Sequence, residues 1–170
     1  WMFVPLTEYH GGGAAATIEP LDEHLDHYER MLTSNLAMGV QACYRGPRLY
    51  DTDRTQAMVA RCVAWFKEYR DILESDLVHG RRADGRDIDW MLHVNPNLER
   101  KGMLVVFNPL EEPVERTIAP NLYYTGLTEL AMVAQEGGPA KEYALKRDYT
   151  VDIPVSVPPK GFTWFVITAP

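Results

Sequence analysis

Six side chains able to do chemistry fall in or beside two short loops of this 170-residue chain. Glu8 and His10 lie in the loop Thr7–Thr17, and Tyr44, Arg45, Arg48 and Asp51 lie in or beside Arg45–Asp51. Glu8 and Asp51 are the only acids in those loops. Two carboxyl groups can divide general-acid and general-base or nucleophile work between them. The competing reading is a loop carboxylate that bonds Tyr9 or pairs with Arg48. His10 stands before Gly11-Gly12-Gly13, where backbone can approach a ligand closely, so its imidazole could bond a hydroxyl or a carboxylate. It could equally hold the loop backbone. The glycine run could form an anion-binding nest at a helix entrance, and close packing explains it as well. Arg45 and Arg48 flank Gly46-Pro47 and could clamp an acidic group, or pair with the acids around them. Tyr44 and Tyr50 offer flat faces for stacking or for ordinary packing.

Other chemistries have less support. His24 and His27 share a helix face at i, i+3 but lack further ligands, so no metal is expected. There is no Gly-x-Ser-x-Gly elbow, and no Walker or dinucleotide glycine pattern stands in a strand–helix context, so no cofactor is expected. Cys43 and Cys62 show no metal-ligand spacing and read as small core residues. A net charge of −7 argues against nucleic acid or an anionic membrane surface as a partner. No apolar run reaches the length of a membrane span, about 18 residues.

The elements that would carry these loops alternate at first. Trp1–Leu6 is an apolar run typical of a strand buried on both faces, which predicts a sheet larger than this chain supplies. The chain therefore reads as the C-terminal piece of something larger. A helix follows, with Pro20 suited to its first turn and Leu21, Leu25, Tyr28, Leu32 and Leu36 on one face; Gly39 suits its end. Val40–Tyr44 reads as a short strand, and a second helix is expected over about Thr52–Ser75, burying Met58, Val59, Cys62, Val63, Phe66, Tyr69, Ile72 and Leu73. Strand, loop, helix repeated twice is a parallel α/β unit.

Near Leu77 the helical period stops. Strands are expected over Ile88–His93, Met103–Asn108, Val114–Ile118, Thr128–Val133, Tyr143–Leu145, Val151–Val155 and Phe162–Thr168. Turn signals such as Asp84-Gly85, Asn108-Pro109 and Gly137-Gly138-Pro139 separate them, which suggests an antiparallel β-sandwich. Domains are thus expected at 1–76 and 77–170. Acid is concentrated in the first: residues 1–77 hold seven Lys/Arg against twelve Asp/Glu, the rest ten against twelve.

Several phrases resemble the tail of a bacterial glycoside-hydrolase-type (β/α)8 barrel protein. They are Tyr9-His10-Gly11-Gly12-Gly13-Ala14-Ala15-Ala16-Thr17, Tyr44-Arg45-Gly46-Pro47-Arg48-Leu49-Tyr50-Asp51 and Tyr69-Arg70-Asp71-Ile72-Leu73-Glu74-Ser75-Asp76. His93-Val94-Asn95-Pro96, Phe107-Asn108-Pro109 and Leu122-Tyr123-Tyr124-Thr125-Gly126-Leu127 complete the set. The resemblance implies that residues 1–76 are the last two β/α units of a barrel and that the remainder is its appended β-sandwich. It implies a carbohydrate substrate, a partner in the missing N-terminal part of the barrel, and a periplasmic or extracellular setting. In a barrel the site lies at the C-terminal ends of the strands, where both loops would fall. Glycosidic cleavage needs two carboxyls, about 5–5.5 Å apart for retention or about 6.5–9.5 Å for inversion. Glu8 and Asp51 are then the catalytic candidates, and His10, Tyr44, Arg45 and Arg48 the sugar-contacting ones. The alternatives are a non-catalytic carbohydrate-binding module, with Trp90, Tyr123, Tyr124 and Trp164 as its platform, and a structural or interaction domain.

Overall fold

The structure, a computed structural model, describes residues 18–40, 46–81 and 83–170. The expected strand Trp1–Leu6 and all of Val40–Tyr44 except Val40 lie outside the described residues. The chain forms two compact units, Trp1–Arg70 and Asp71–Pro170.

In the first unit, helix α1 spans Leu25–Ala37 and helix α2 spans Asp53–Leu73, ending just inside the second unit. α1 starts about a turn later than Pro20 suggests. Residues 21–24 form a turn in which the His24 amide donates to the Leu21 carbonyl, at 3.2 Å. Asp22, acidic enough for a helix N-terminus, is committed elsewhere: its carboxylate accepts from the Thr52 hydroxyl at 2.9 Å and pairs with Arg54. The end of α1 is where glycine is needed. Gly39 sits at φ +71°, its amide donates to the Leu36 carbonyl, and the Val40 amide reaches back to Asn35. That double bond is a Schellman cap, and its left-handed residue costs least as glycine.

α2 starts with a reciprocal cap. The Thr55 amide donates to the Thr52 hydroxyl at 3.2 Å, and the Thr52 amide donates to Thr55 Oγ1 at 3.0 Å. Tyr28, Met31, Leu32 and Leu36 of α1 join Met58 and Cys62 of α2, with Ile18 and Leu21, in one core. Cys62 is buried there as expected, and burial pushes its thiol up to about 11, which keeps it protonated and unreactive.

The second unit is antiparallel throughout. Its strands are β1 (Asp76–His79), β2 (Asp89–Val94), β3 (Arg100–Phe107), β4 (Val114–Ile118), β5 (Leu130–Gln135), β6 (Lys141–Ala144), β7 (Ile153–Val157) and β8 (Phe162–Thr168). Six form one sheet in the order β1-β2-β3-β8-β5-β6, and β4 pairs with β7 in a second. Both sheets feed one core: Leu92, Leu104, Val106, Phe165 and Ile167 meet Ile118, Ile153, Val155 and Val157. β1 escapes the sequence reading because Asp76-Leu77-Val78-His79 has only two apolar residues between polar ends. The expected strands at Val114–Ile118 and Phe162–Thr168 match, and the rest shift by one to three residues. Asn108 closes the end of β3. Its side-chain amide donates to the carbonyls of Glu112, Val157 and Pro158, and its Oδ1 accepts from the Leu110 amide.

Candidate functional site

The loop before α2 is the part of the expected site that lies within the described residues. Glu8, His10, Tyr44 and Arg45 lie outside them, as does the Gly11–Gly13 run, while Arg48 and Asp51 lie within. Three side chains of the first segment reach across to the second: Glu19 to Arg48, Asp22 to Arg54 and Glu29 to Arg61, at 3.2, 3.2 and 2.6 Å. Leu49 is anchored by its carbonyl, which accepts from the hydroxyl of fully buried Tyr28 at 2.9 Å. The loop is thus stitched at both ends, while the side chains of Leu49 and Tyr50 remain exposed.

Asp51 sits at the centre of this stitching. Its Oδ2 accepts from the Asp22 amide at 3.2 Å and its Oδ1 from the Thr55 hydroxyl at 3.0 Å. Desolvation works upward on the carboxyl, but the Asp22 amide and the Thr55 hydroxyl outweigh it and hold Asp51 below the usual carboxylate range. A carboxylate so held is ionised at neutral pH. It can stabilise positive charge or accept a proton-bearing group, and it is unsuited to donating a proton to a leaving group. Arg48 has an exposed guanidinium whose Nη2 and Nε donate to the two carboxylate oxygens of Glu19, at 3.2 and 3.4 Å. Thr52 and Thr55, which organise the loop, escaped the sequence reading. A Thr-x-x-Thr phrase just ahead of the Met58–Cys62 period is the signal that could have found them.

A second carboxyl stands out in the β unit. Asp89 is 1% exposed, and its Oδ1 accepts from Arg81 Nη1 at 3.0 Å. Its Oδ2 is buried with no partner among the described residues. Burial pushes this carboxyl up to about 6; Arg81 opposes the rise and the charges of Asp84 and Asp87 add to it. Arg81 also holds Asp84 at 2.7 Å, and Arg116 pairs with Asp87, so the β1–β2 connection is clamped by a charged cluster.

The four aromatics named as a sugar platform do not share a surface. Trp90 stands opposite Val106, which stands opposite Thr163, whereas Trp164 stands opposite Val105 and hence in line with Met91. Facing residues project to the same side and neighbours alternate, so Trp90 and Trp164 lie on opposite faces of the sheet. Tyr123 and Tyr124 are exposed on a short 3-10 turn, Tyr123–Thr125, but their rings meet at 83°, edge to face. Trp164 stacks instead on Phe162, which stacks on Phe107.

With this geometry in view, comparison with known proteins gives one usable likeness. No protein-family model and no curated protein matches the chain. Among solved structures, a candidate α-N-acetylgalactosaminidase from Bacillus halodurans superposes with a TM-score of 0.52 at 10% identity. The match covers 84% of this chain and 31% of that one. The fold is glycoside-hydrolase-like. A candidate α-galactosidase/melibiase from Bacteroides fragilis covers 85% of the chain at 15% identity and a TM-score of 0.46, matching 28% of its own length. Pullulanase type I from Bacillus subtilis, solved with maltose, covers 85% at 8% identity and 0.48, matching 24%. The chain spans about a third or less of the length of these solved structures.

Proposed function

We propose that this chain is part of a glycoside hydrolase, in which residues 1–76 supply the last β/α units of a (β/α)8 barrel and one side of its carbohydrate site. The β-sandwich that follows is its structural companion. One observation supports this above the others: 84% of the chain is covered by its likeness to part of a solved structure whose name is that of a glycoside hydrolase. On this reading the remaining barrel units are the chain's partner. Asp51 is a fixed anion at the rim of the site and Arg48 is a sugar-contacting residue. Glu8, His10, Tyr44 and Arg45 complete that side.

The test is alanine substitution of His10, Arg48 or Asp51 in a protein that carries the chain together with its remaining barrel units. Turnover of a nitrophenyl glycoside is expected to fall at least tenfold in kcat/KM for His10→Ala or Asp51→Ala, about the effect of one lost charged hydrogen bond. Wild-type kinetics in both variants would remove these residues from the site. The four-aromatic binding platform is the weaker reading, because its two tryptophans project to opposite faces.

A further inference from the structure

A cavity lies wholly within the β unit, beside strand β1. It has a volume of about 150 Å3 and is lined by His79, Gly80, Trp90, Ala119, Pro120 and Asn121, together with Val78 and Leu92. Trp90 gives it a fixed wall. The Gly80 amide donates to the Trp90 carbonyl at 2.9 Å. A Cβ built on Gly80 would lie 2.0, 2.2 and 2.3 Å from Nε1, Cε2 and Cδ1 of the indole. Near-equal approach to three adjacent ring atoms places Gly80 over the ring face, so any larger residue there would displace the indole. The ring is also held from within, because Trp90 packs against the core shared by the two sheets.

The lining decides the class of ligand. None of the eight residues is an aspartate, glutamate, lysine or arginine, so nothing there is matched to an ion. Hydrogen-bonding capacity is present: His79 is exposed, and neither its imidazole nor the Trp90 indole N–H has a hydrogen bond among the described residues. The Asn121 side chain is already used, donating to the Asp148 carbonyl and accepting from the Tyr123 amide, and it shapes the wall without offering itself. The volume is below the roughly 300–1,000 Å3 of sites that enclose a drug-sized molecule, so the cavity takes a single ring. A partly buried indole beside an exposed imidazole, with no Asp, Glu, Lys or Arg in the lining, suits a molecule with C–H faces and hydroxyl edges.

We propose that this cavity binds one ring of a neutral sugar, as a site separate from the loops of the first unit, with Trp90 as the wall and His79 as the hydroxyl partner. The inference rests on the carbohydrate reading above for its choice of ligand.

The test uses the full chain, labelled with 15N, and follows the indole N–H signals of its four tryptophans during titration with D-galactose, D-glucose and N-acetyl-D-galactosamine, with D-galacturonate as the charged comparison. The Trp90 signal is expected to shift saturably with at least one neutral sugar, and galacturonate to bind at least threefold more weakly than galactose. His79→Ala, at an exposed position, is expected to weaken binding about threefold to tenfold, the range of one hydrogen bond. Trp90→Phe keeps a ring on the core and removes the N–H, and its binding is read from the backbone amide signals of Gly80 and Asn121, which line the same cavity. A Trp90 signal unmoved by all three neutral sugars overturns the proposal. So does binding that neither variant weakens, or a preference for galacturonate. Such a failure stays distinct from failure of the hydrolase reading, which is measured by turnover at residues of the other unit.

Discussion

Asp89 should make the β unit less stable at neutral pH than in mild acid. Its carboxyl has an ordinary value of 3.8 and is pushed up to about 6 in the folded chain, chiefly by burial. The folded state therefore holds this proton more tightly than the unfolded chain does. Below pH ~3.8 both states are protonated and the group has no effect on stability. Between ~3.8 and ~6 the unfolded chain releases its proton first, so stability falls as pH rises; above ~6 the full penalty remains. A separation of about 2.2 units corresponds to about 3 kcal/mol in all, of which about 1.3 kcal/mol accrues between pH 5 and 7. Asp51, Asp84 and Asp87 have lowered values and act with the opposite sign, but only as pH falls toward and below about 3.8, outside that window. The assay is urea unfolding at pH 5 and 7, read at the Val105 amide of β3 so that the β unit is followed by itself. Wild type is expected to lose about 1 kcal/mol more than Asp89→Asn over this interval. A 13C titration of the Asp89 carboxyl should give a midpoint near 6. Parallel pH profiles for the two proteins, or a midpoint at or below 4, would refute the reasoning.

Two further substitutions test the scaffold. Asn108→Ala removes a fully buried amide shared by three carbonyls and an acceptor for the Leu110 amide, so a loss of about 1–3 kcal/mol is expected in the same urea assay, and unchanged stability would contradict it. Thr52→Ala should cost about 0.5–2 kcal/mol, seen as faster hydrogen exchange in the first turns of α2, with Thr52→Ser restoring protection; equal exchange in both variants would show that the cap does not hold the helix.

Much of the fold was legible because its signals are local. The apolar stripe of α2, apart from Val63, which is exposed, and the alternation of β8 each follow from a short window, and the Asn108-Pro109 turn marks the end of β3 from two residues. The start of α1 was not legible, because Pro20 and the acids after it look like a first turn while Asp22 is held by Thr52 and Arg54, some thirty residues away. Strand β1 has no pattern of its own and exists through its pairing with Met91–Val94. The site shows the same division. The residue types at Arg48 and Asp51 could be read directly, but their partners Glu19, Asp22 and Thr55 come from other segments. The aromatic platform failed for a geometrical reason: which face a tryptophan takes depends on register, which alternates at every residue.

The state of the carboxyls bears on where a proton donor would come from. Glycosidic cleavage needs an acid whose carboxyl stays protonated near neutral pH and a second carboxyl that stays ionised. Asp51 meets the second requirement, since an amide and a hydroxyl hold it in the charged form. Among the described residues, Asp89 is the carboxyl raised by its surroundings, but it is buried against Arg81 in the β unit and belongs to the clamp on the β1–β2 connection. Glu19, Asp22 and Glu29 are each engaged in an ion pair with an arginine of the second segment. On the proposed hydrolase reading, the acid is to be sought on the Glu8 loop or on the barrel strands that the proposal places beyond this chain. Asp51 would then be the fixed negative charge toward which that acid is placed, and the Asp22 and Thr55 bonds that keep it ionised would matter as much as the carboxylate itself.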